Sequence, residues 1–204
     1  MFIVLEGLDG SGKSTQVKRL SEKLKSLNIP HLVTRQPTGS PIGQVAREFT
    51  KGGFGNLENE TVALLFAADR FQHYKQEIAP ALAKDEIVIC DRYFYSNMAY
   101  QGVTDAAMAR VIVYNQVVMA EKIPDIVFFL DTAPEECIRR ISDSRDGVSI
   151  YETLPRLKAI RERYFAAFNR LKDTIHIVVI ETDGLAAEDV CEKISNTVIA
   201  KMVQ

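Results

Sequence analysis

A glycine-rich segment near the start of the chain has the residue types and spacing of a loop that holds phosphate. Residues 7–14 read GLDGSGKS, which matches the pattern G-x-x-x-x-G-K-[ST]. The glycines let backbone N–H groups point into one concavity, Lys13 can reach the β- and γ-phosphates of a nucleotide, and Ser14 can bind Mg²⁺. A tight glycine turn alone would not explain the adjacent Lys-Ser pair. The segment therefore predicts binding of a nucleoside triphosphate with its metal ion.

A second chemical signal follows another apolar run. Residues 87–90 are apolar, and Asp91 and Arg92 come directly after them. A carboxylate at the carboxyl end of a buried strand lies where ligands bind in open α/β sheets, so Asp91 is a candidate for holding Mg²⁺ through its water shell. Arg92 has the geometry to clamp a second phosphate with two hydrogen bonds. An exposed ion pair at the end of a strand is the alternative interpretation.

These residues need a scaffold in which strands and helices alternate. Short apolar runs bounded by turn or charged residues predict buried strands at residues 2–5, 87–90, 126–130 and 175–180, with a candidate fifth at 31–34. Between them, apolar residues recur every three or four positions, as at Leu20 and Leu24, which predicts helices. Buried strands that alternate with helices imply a three-layer α/β/α domain of the P-loop NTPase class, with a central, mostly parallel five-stranded sheet.

Length and composition limit what else the chain could be. Its 204 residues suit one domain, 1–204, and 47% hydrophobic with 25% charged residues is too apolar for a disordered chain. A formal charge of -2 gives no basic field, so we expect no nucleic-acid partner. The three scattered cysteines predict neither a disulfide framework nor a zinc site. Without a basic leader or an apolar run of about 18 residues, we expect a cytoplasmic protein with no membrane partner.

Longer motifs resemble one family. Residues 91–102, DRYFYSNMAYQG, match the D-R-[FY]-x-x-S-x-x-A-Y-Q-G signature of thymidylate kinases, and residues 6–9, 64–70 and 130–135 agree with other family motifs in the same order. The resemblance covers most of the chain, up to about residue 190. It implies an ATP:dTMP phosphotransferase of dTTP biosynthesis, with ATP and dTMP as substrates and Mg²⁺ as cofactor. It also implies a homodimer, for which the apolar helix at about residues 105–118 is a candidate interface.

The resemblance assigns an acceptor site. By its neighbours alone, Phe66 would more often be core than a platform for a base. In the family this position stacks on thymine, and Arg70, one helical turn further on, reads the carbonyl edge of the base. Tyr100 matches the residue that crowds C2′ and disfavours ribonucleotides. The residues predicted to bind dTMP are Asp9, Phe66, Arg70, Arg92, Ser96, Asn97, Tyr100 and Gln101.

Three further sets of residues follow from the same resemblance. Asp9 matches a carboxylate that contacts the 3′-hydroxyl of dTMP and helps to place the metal. The residues predicted to bind ATP are Gly7, Leu8, Asp9, Gly10, Ser11, Gly12, Lys13, Ser14, Thr15 and Arg140. The predicted metal site consists of Ser14, Asp91 and Asp9. The predicted catalytic residues are Lys13, Asp9, Arg92 and Arg145.

Positive charge for the transferring phosphoryl group is expected from a small lid. One type of family member carries the catalytic arginine inside the phosphate loop, where this chain has Gly10. We therefore expect it in a lid at about residues 139–153, within which residues 142–150 are a polar interruption between two helices. Arg145 is the candidate. Three downstream arginines, which would otherwise belong to a solvated helix face, are the alternatives: Arg156, Arg161 and Arg163.

Some positions depart from the family or carry no assignment. Residues 34–39, TRQPTG, resemble the family's T-R-E-P-G-G, but Gln36 replaces the usual Glu, and we assign it no catalytic role. Asp131 is expected to cap the next helix or to shape the base of the lid. The histidines lie on separate elements without metal-like spacing, and each is expected at the surface or in packing: His31, His73 and His176.

Three other functions compete with this interpretation. A kinase of another nucleotide or nucleoside would share the chemistry and differ in its base pocket. A nucleotide-dependent switch without a phosphoryl acceptor would be expected to carry a base-recognition motif such as N-K-x-D, which the sequence lacks. A structural protein with a vestigial loop is disfavoured, because Lys13, Ser14 and Asp91 are all present.

Overall fold

A five-stranded parallel sheet forms the centre of the computed structural model, which describes residues 1–50, 52, 57–143 and 153–202. The strands are β1 (Phe2–Gly7), β2 (His31–Arg35), β3 (Ile87–Asp91), β4 (Ile126–Asp131) and β5 (Ile177–Glu181). They are hydrogen-bonded in the order β2-β3-β1-β4-β5, and every pair is parallel. The prediction of a parallel five-stranded sheet, including its second strand, is confirmed.

Helices connect the strands and cover both faces of the sheet. They are α1 (Lys13–Ser26), α2 (Pro41–Thr50), α3 (Asn59–His73), α4 (Ala79–Leu82), α5 (Phe94–Gln101), α6 (Asp105–Glu121), α7 (Pro134–Asp143), α8 (Leu154–Leu171) and α9 (Ala187–Met202). A π-helical segment, Tyr74–Ile78, joins α3 to α4. Helices on both sides of a parallel sheet give the three-layer α/β/α architecture that the alternating pattern predicts.

Alternation along the strands divides the core into two layers. Phe2 and Val4 of β1 pack with residues of α5 and α8, whereas Ile3 and Leu5 pack with residues of α1 and α9. Successive side chains of a strand point to opposite faces, so a strand that is apolar at every position is buried on both. This burial fixes β1 at the centre of the sheet.

Strand ends differ from the prediction in a consistent way. β1, β3 and β4 continue beyond their apolar runs into Gly7, Asp91 and Asp131, because ladder hydrogen bonds use the backbone and do not require an apolar side chain. The fifth strand was predicted from residue 175 but begins at Ile177. The N–H of Ile175 donates to the carbonyl of Leu171, 3.2 Å away, and so closes the end of α8 instead of entering the sheet.

The pairing of β1 with β3 positions the site. Leu5 lies opposite Asp91, and the backbone N–H of Arg92 donates to the carbonyl of Leu5 at 2.9 Å. Because parallel strands end at the same edge, the segment after Gly7 and the segment after Asp91 leave the sheet side by side. The two sequence motifs with phosphate chemistry therefore meet.

The segments predicted to be irregular are only partly described. α7 extends to Asp143, so the first residues of the predicted interruption at 142–150 are helical. Residues 144–152 and 53–56 lie outside the described part of the chain, as does the candidate catalytic arginine, Arg145. Within the described residues, no helix is both long and apolar enough to cross a membrane.

Candidate active site

The phosphate loop connects β1 to α1 and leaves the start of α1 open. Gly12 precedes the helix with φ 90°, no side chain caps the N-terminus, and no acidic residue occupies the first turn. Unpaired N–H groups and the positive end of the helix therefore favour an anion at this position. The Lys13 ammonium lies inside the loop and donates to the Leu8 carbonyl at 2.6 Å. Burial, together with the charge of Arg92, lowers the pKa of Lys13.

A cavity of about 700 Å³, here called the larger cavity, lies over the loop. Arg140 of α7 lines it, with its Nη1 3.4 Å from the Gly10 carbonyl and its Nε 2.7 Å from Glu136. Most residues predicted to bind ATP line it as well: Asp9, Gly10, Gly12, Lys13, Ser14 and Thr15. The other three are buried behind the loop surface: Gly7, Leu8 and Ser11.

Ser14 and Asp91 come together at the edge of the larger cavity. The Ser14 hydroxyl donates to Asp91 Oδ2 at 2.9 Å, whereas Asp91 Oδ1 is buried and has no hydrogen-bond partner. A buried carboxylate oxygen without a partner beside a hydroxyl is a donor set that suits a hard divalent cation. No group of three or more His, Cys, Asp or Glu side chains that could hold a metal occurs among the described residues. A metal here would take its remaining ligands from water and phosphate, as Mg²⁺ commonly does.

Asp9 lines the larger cavity together with Ser14 and Asp91. Its Oδ1 accepts from Arg92 Nη2 at 2.6 Å and its Oδ2 accepts from the Tyr100 hydroxyl at 2.8 Å. Burial works against the ionised carboxylate, but the charges of Arg92 and Lys13 outweigh burial, so the pKa of Asp9 is lowered. Asp9 is thus held as an anion, and its role as a metal ligand stays a prediction.

A second cavity, of about 190 Å³ and here called the smaller cavity, opens beside the loop. All residues predicted to bind dTMP line it: Asp9, Phe66, Arg70, Arg92, Ser96, Asn97, Tyr100 and Gln101. Phe66 and Arg70 reach it from α3, where their spacing of one helical turn puts both on the same face. The tertiary structure therefore brings the whole predicted set into one place.

Arg92 is held in a strained and highly connected position. Its φ is 70°, which lies in the left-handed region and is unfavourable for a residue with a Cβ. Its guanidinium donates to Asp9, to the Ser96 hydroxyl at 2.9 Å and to the Tyr164 hydroxyl at 3.2 Å. Such strain persists only where surrounding contacts over-determine the conformation, and these contacts aim Arg92 along the wall of the smaller cavity.

Arg70 is fully buried at the end of the smaller cavity. Its Nε donates to Gln36 Oε1 at 2.8 Å, its Nη1 to Asn115 Oδ1 at 2.5 Å, and its Nη2 to the Tyr93 carbonyl at 3.1 Å. Nη1 also lies 3.3 Å from Asn97 Oδ1. Every one of these acceptors is neutral. The guanidinium is therefore rigidly oriented while its charge stays without a hydrogen-bonded carboxylate among the described residues.

Sequence reasoning missed several residues that support the site. Glu6 is a buried carboxylate that accepts from the Tyr93 N–H at 2.8 Å, the Ser96 hydroxyl at 2.6 Å and the Tyr164 hydroxyl at 2.9 Å. Burial raises the pKa of Glu6, although Arg92 opposes that shift. An acidic residue inside an otherwise apolar strand was the available signal. Asn115, a polar residue on the buried face of α6, was a similar one.

The arginines near the predicted lid have different environments. Arg161 forms a two-point ion pair with Asp131, at 2.6 and 2.7 Å, which ties the middle of α8 to the end of β4. Arg163 donates to the Ala99 carbonyl at 2.8 Å. Arg139 pairs with Glu136 and Asp143 on the surface of α7. Asp131 therefore links β4 to α8, and its expected role as a helix cap or at the base of the lid stays a prediction.

A parallel sheet, a glycine loop after its central strand and two cavities that share a wall define a phosphate-loop nucleotide kinase. The thymidylate kinase family matches residues 5–194. The chain is 40% identical over 177 residues to the thymidylate kinase of Leptospira interrogans serogroup Icterohaemorrhagiae serovar copenhageni (strain Fiocruz L1-130), covering 87% of this chain and 85% of the relative. It is 37% identical over 204 residues to the probable thymidylate kinase of Methanococcus aeolicus (strain ATCC BAA-1280 / DSM 17508 / OCM 812 / Nankai-3), covering 99% and 97%. The chain belongs to the thymidylate kinase family, which phosphorylates dTMP in nucleotide biosynthesis.

Gly10 gives a test of the loop's packing. A Cβ at this position would lie 2.5 Å from the Cys137 carbonyl oxygen, at a φ of 80°. Gly10→Ala is expected to weaken ATP binding at least about tenfold, because the loop must move away from α7. Isothermal titration with ATP measures the change.

Gly184→Ala is the matched control for the backbone strain. Gly184 has a φ of 76° but no atom within 4 Å of the added Cβ. It should lose stability by about 1–2 kcal/mol from the left-handed backbone without losing ATP affinity. Equal ATP affinities in the two variants would show that the contact with Cys137 does not shape the loop.

Proposed function

We propose that the chain transfers the γ-phosphoryl group of ATP, bound over residues 7–14, to dTMP bound in the smaller cavity. One observation carries this proposal. The two cavities share a wall that contains Asp9 and Arg92, so a phosphate in one faces a phosphate in the other. A nucleotide switch has no use for a second, base-sized cavity at this position. The arrangement favours transfer between two bound nucleotides.

The proposed chemistry depends on position and charge. The acceptor phosphate already carries a nucleophilic oxygen, so no general base is required. Lys13 would neutralise the β- and γ-phosphates, and Arg92 would hold the acceptor phosphate in line. Both cations are fixed before substrate binds, Lys13 by the Leu8 carbonyl and Arg92 by Asp9. Fixed charges that need no reorganisation stabilise a transition state better than mobile ones.

The proposed base site uses the two residues of α3. Phe66 is half-buried and would stack on thymine, while Arg70 would donate to the carbonyl edge of the base. Tyr100 would exclude a 2′-hydroxyl by contact. Ser96, Asn97 and Gln101 would line the remainder. The hydrogen bonds that hold Arg70 support this assignment, because a guanidinium that recognises the edge of a base needs a fixed orientation.

The proposed metal site consists of Ser14 and Asp91, with Asp9 as a further candidate. The unpartnered Oδ1 of Asp91 supports this choice. When bound, Mg²⁺ would supply positive charge that neutralises the phosphates of ATP. The chain's own part is to hold the Ser14 hydroxyl and the Asp91 carboxylate 2.9 Å apart at the same point.

We also propose that residues 1–204 form one domain with a lid at about 139–153. Closure of this lid would exclude water and so limit hydrolysis of ATP. Arg145 would meet the charge of the transferring group. Arg161, one of the alternatives to Arg145, is already engaged in an ion pair with Asp131. This engagement favours Arg145 as the catalytic arginine. An unchanged kcat in Arg145→Ala would contradict the assignment, whereas a large fall at constant KM would support it.

A homodimer and a cytoplasmic location complete the proposal. α3 and α6 pack together, and both expose apolar side chains, Leu64 at 48%, Val113 at 55% and Val117 at 60%. An exposed apolar face shared by two helices suits a self-complementary interface. The three cysteines are free thiols, which agrees with a reducing compartment.

The function itself is tested by release of ADP from Mg-ATP with separate acceptors: dTMP, dUMP, UMP, CMP, AMP, GMP and thymidine. A clear preference for dTMP over UMP, CMP, AMP and GMP is expected, because Phe66, Arg70 and Tyr100 together would select a deoxyribonucleotide with a carbonyl edge. Preference for another acceptor would support the kinase activity and contradict the assignment of Phe66, Arg70 and Tyr100 to the base site. ADP release that no acceptor stimulates would favour a switch or binding module.

Arg92→Ala should lower kcat/KM for dTMP at least about a hundredfold, because it removes a phosphate contact and leaves Asp9 without its ion-pair partner. The Kd of ATP should change less than about threefold. Arg170→Ala, which removes a surface pair with Asp105, serves as control and should alter neither value. An equal loss for both substrates would contradict the assignment of Arg92 to the acceptor.

Asp91→Asn should raise the Mg²⁺ concentration for half-maximal activity about tenfold or more, because an amide is a weaker ligand than a carboxylate. Asp131→Asn is the matched control at the end of β4, which lies on the other side of β1 from β3. It should lower Tm, through its pair with Arg161, and leave the Mg²⁺ dependence unchanged. Identical Mg²⁺ curves for wild type and Asp91→Asn would remove Asp91 from the metal site.

Val117→Asp should convert a dimer into monomers, because it buries a charge in the proposed interface. Sedimentation velocity measures the change of mass. Val179→Asp, on β5 and 44% exposed, is the control and should keep the wild-type mass. A wild-type protein that sediments as a monomer at micromolar concentration would reject the homodimer.

A further inference from the structure

A chain of buried hydrogen bonds leads from Arg70 to the protein surface. Arg70 Nε donates to Gln36 Oε1 at 2.8 Å, and Gln36 Nε2 lies 2.9 Å from His73 Nδ1. His73 Nε2 lies 2.7 Å from the Thr34 hydroxyl, which donates to Glu77 Oε2 at 3.0 Å. The Glu77 side chain is 51% exposed, whereas His73 is 2% exposed. The imidazole therefore links the smaller cavity to solvent.

The direction of every hydrogen bond in this chain follows from its first donor. A guanidinium can only donate, so the oxygen of the Gln36 amide must face Arg70 and its NH₂ group must face His73. His73 Nδ1 must then accept, which requires a neutral imidazole with its proton on Nε2. That Nε2–H donates to the Thr34 hydroxyl. The network is complete in one protonation state of His73 only.

A proton on His73 Nδ1 would break this order. Two donors would then face each other, and the Gln36 amide would have to reverse to present its oxygen to the imidazolium. After that reversal its NH₂ group would face Arg70 Nε, so the guanidinium would lose an acceptor in a buried place. Glutamate is the residue that the thymidylate kinase family usually has at this position. Its carboxylate could accept from both Arg70 and protonated His73. The dependence on a neutral His73 is therefore a property of glutamine at this position.

Charged groups of both signs face His73. Glu77 and Asp69, from its own helical segment, favour protonation, and Arg70 opposes it. From β2 and the residues after it, Thr34 and Gln36 contribute neutral partners. The Asp69 carboxylate also accepts from the backbone N–H and the hydroxyl of Thr38. Burial has the largest effect and lowers the pKa of His73, so the neutral form prevails at pH 7.

We propose that Gln36 and His73 are positioning residues for nucleotide recognition: neutral His73 holds the Gln36 amide that fixes Arg70, and protonation of His73 releases Arg70 and weakens binding of the base. This inference rests on the proposed role of Arg70 as the reader of thymine. Acidification moves His73 towards its protonated form. Because burial lowers the pKa of His73 from its usual range, base affinity falls only as the pH drops through that lowered pKa.

Thymidine is the suitable probe, because the phosphate of dTMP titrates near pH 6 and thymidine carries none. Its Kd is measured at pH 7.5 and pH 5.5 for wild type, His73→Asn and His176→Asn. Comparing the ratio of the two Kd values between proteins removes any effect of a substitution on affinity that is the same at both pH values. In wild type and in the exposed control His176→Asn, the Kd should rise at least about threefold on acidification. In His73→Asn the ratio should be near one, because an amide oxygen replaces Nδ1 and takes no proton.

Gln36→Glu gives a second variant in the same assay. Its carboxylate accepts from Arg70 and from protonated His73 alike, so its Kd ratio should also be near one. Nitrogen NMR of wild type at pH 7.5 should find the Nε2–H tautomer of His73. A proton on Nδ1, or the same Kd ratio in wild type, His73→Asn and Gln36→Glu, would overturn the inference.

Arg70→Met separates this inference from the base-site assignment. If Arg70→Met binds thymidine as tightly as wild type does, the proposed reader of the base is wrong and the inference fails with it. If Arg70→Met loses affinity while wild type and His73→Asn respond alike to pH, the inference alone fails. Loss of affinity in Arg70→Met together with a flat ratio in His73→Asn supports both.

Discussion

The backbone pairing of β1 with β3 is the constraint on which the site depends. It sets Leu5 beside Asp91 and joins the Arg92 N–H to the Leu5 carbonyl. From that edge, one chain segment turns into the phosphate loop and the other into the Arg92 segment. A shift of two residues in this register would move Asp91 by about 6.6 Å relative to Ser14, beyond hydrogen-bond distance.

Buried charge is the second determinant of the site. Glu6, Asp9 and Arg92 lie within one hydrogen-bonded group, and each loses hydration on folding. Desolvation of ions costs several kcal/mol for each unless partners compensate. Here the partners are also the groups that orient Arg92 against its own left-handed backbone. Burial of these charges lowers stability, but it fixes the position of the Arg92 guanidinium before a phosphate binds.

Arg70 is supported in a different way. Its hydrogen-bond acceptors are amide and carbonyl oxygens, which fix direction without neutralising charge. A guanidinium in that state favours an additional electronegative acceptor, such as a carbonyl of a base. The Gln36 amide presents its oxygen to Arg70 and its NH₂ group to His73, so this arrangement is complete only while His73 Nδ1 accepts a hydrogen bond. In the proposed mechanism, glutamine in place of glutamate at position 36 connects base recognition with the protonation of a buried histidine on a neighbouring helix.

The sequence by itself determined the local elements and the local chemistry. Fixed spacing identified the phosphate loop, helical spacing put Phe66 and Arg70 on one face, and apolar runs located the strands, because each of these depends on neighbouring residues. Only the tertiary structure decided which distant groups meet. Glu6 with Tyr164, Arg70 with Asn115, Asp131 with Arg161 and Gln36 with His73 are separated by many residues, and the order of the strands brings them together. The role of a buried polar side chain depends on partners that no local pattern specifies. The sequence therefore predicted residues that line the smaller cavity but not the hydrogen-bond network that holds them.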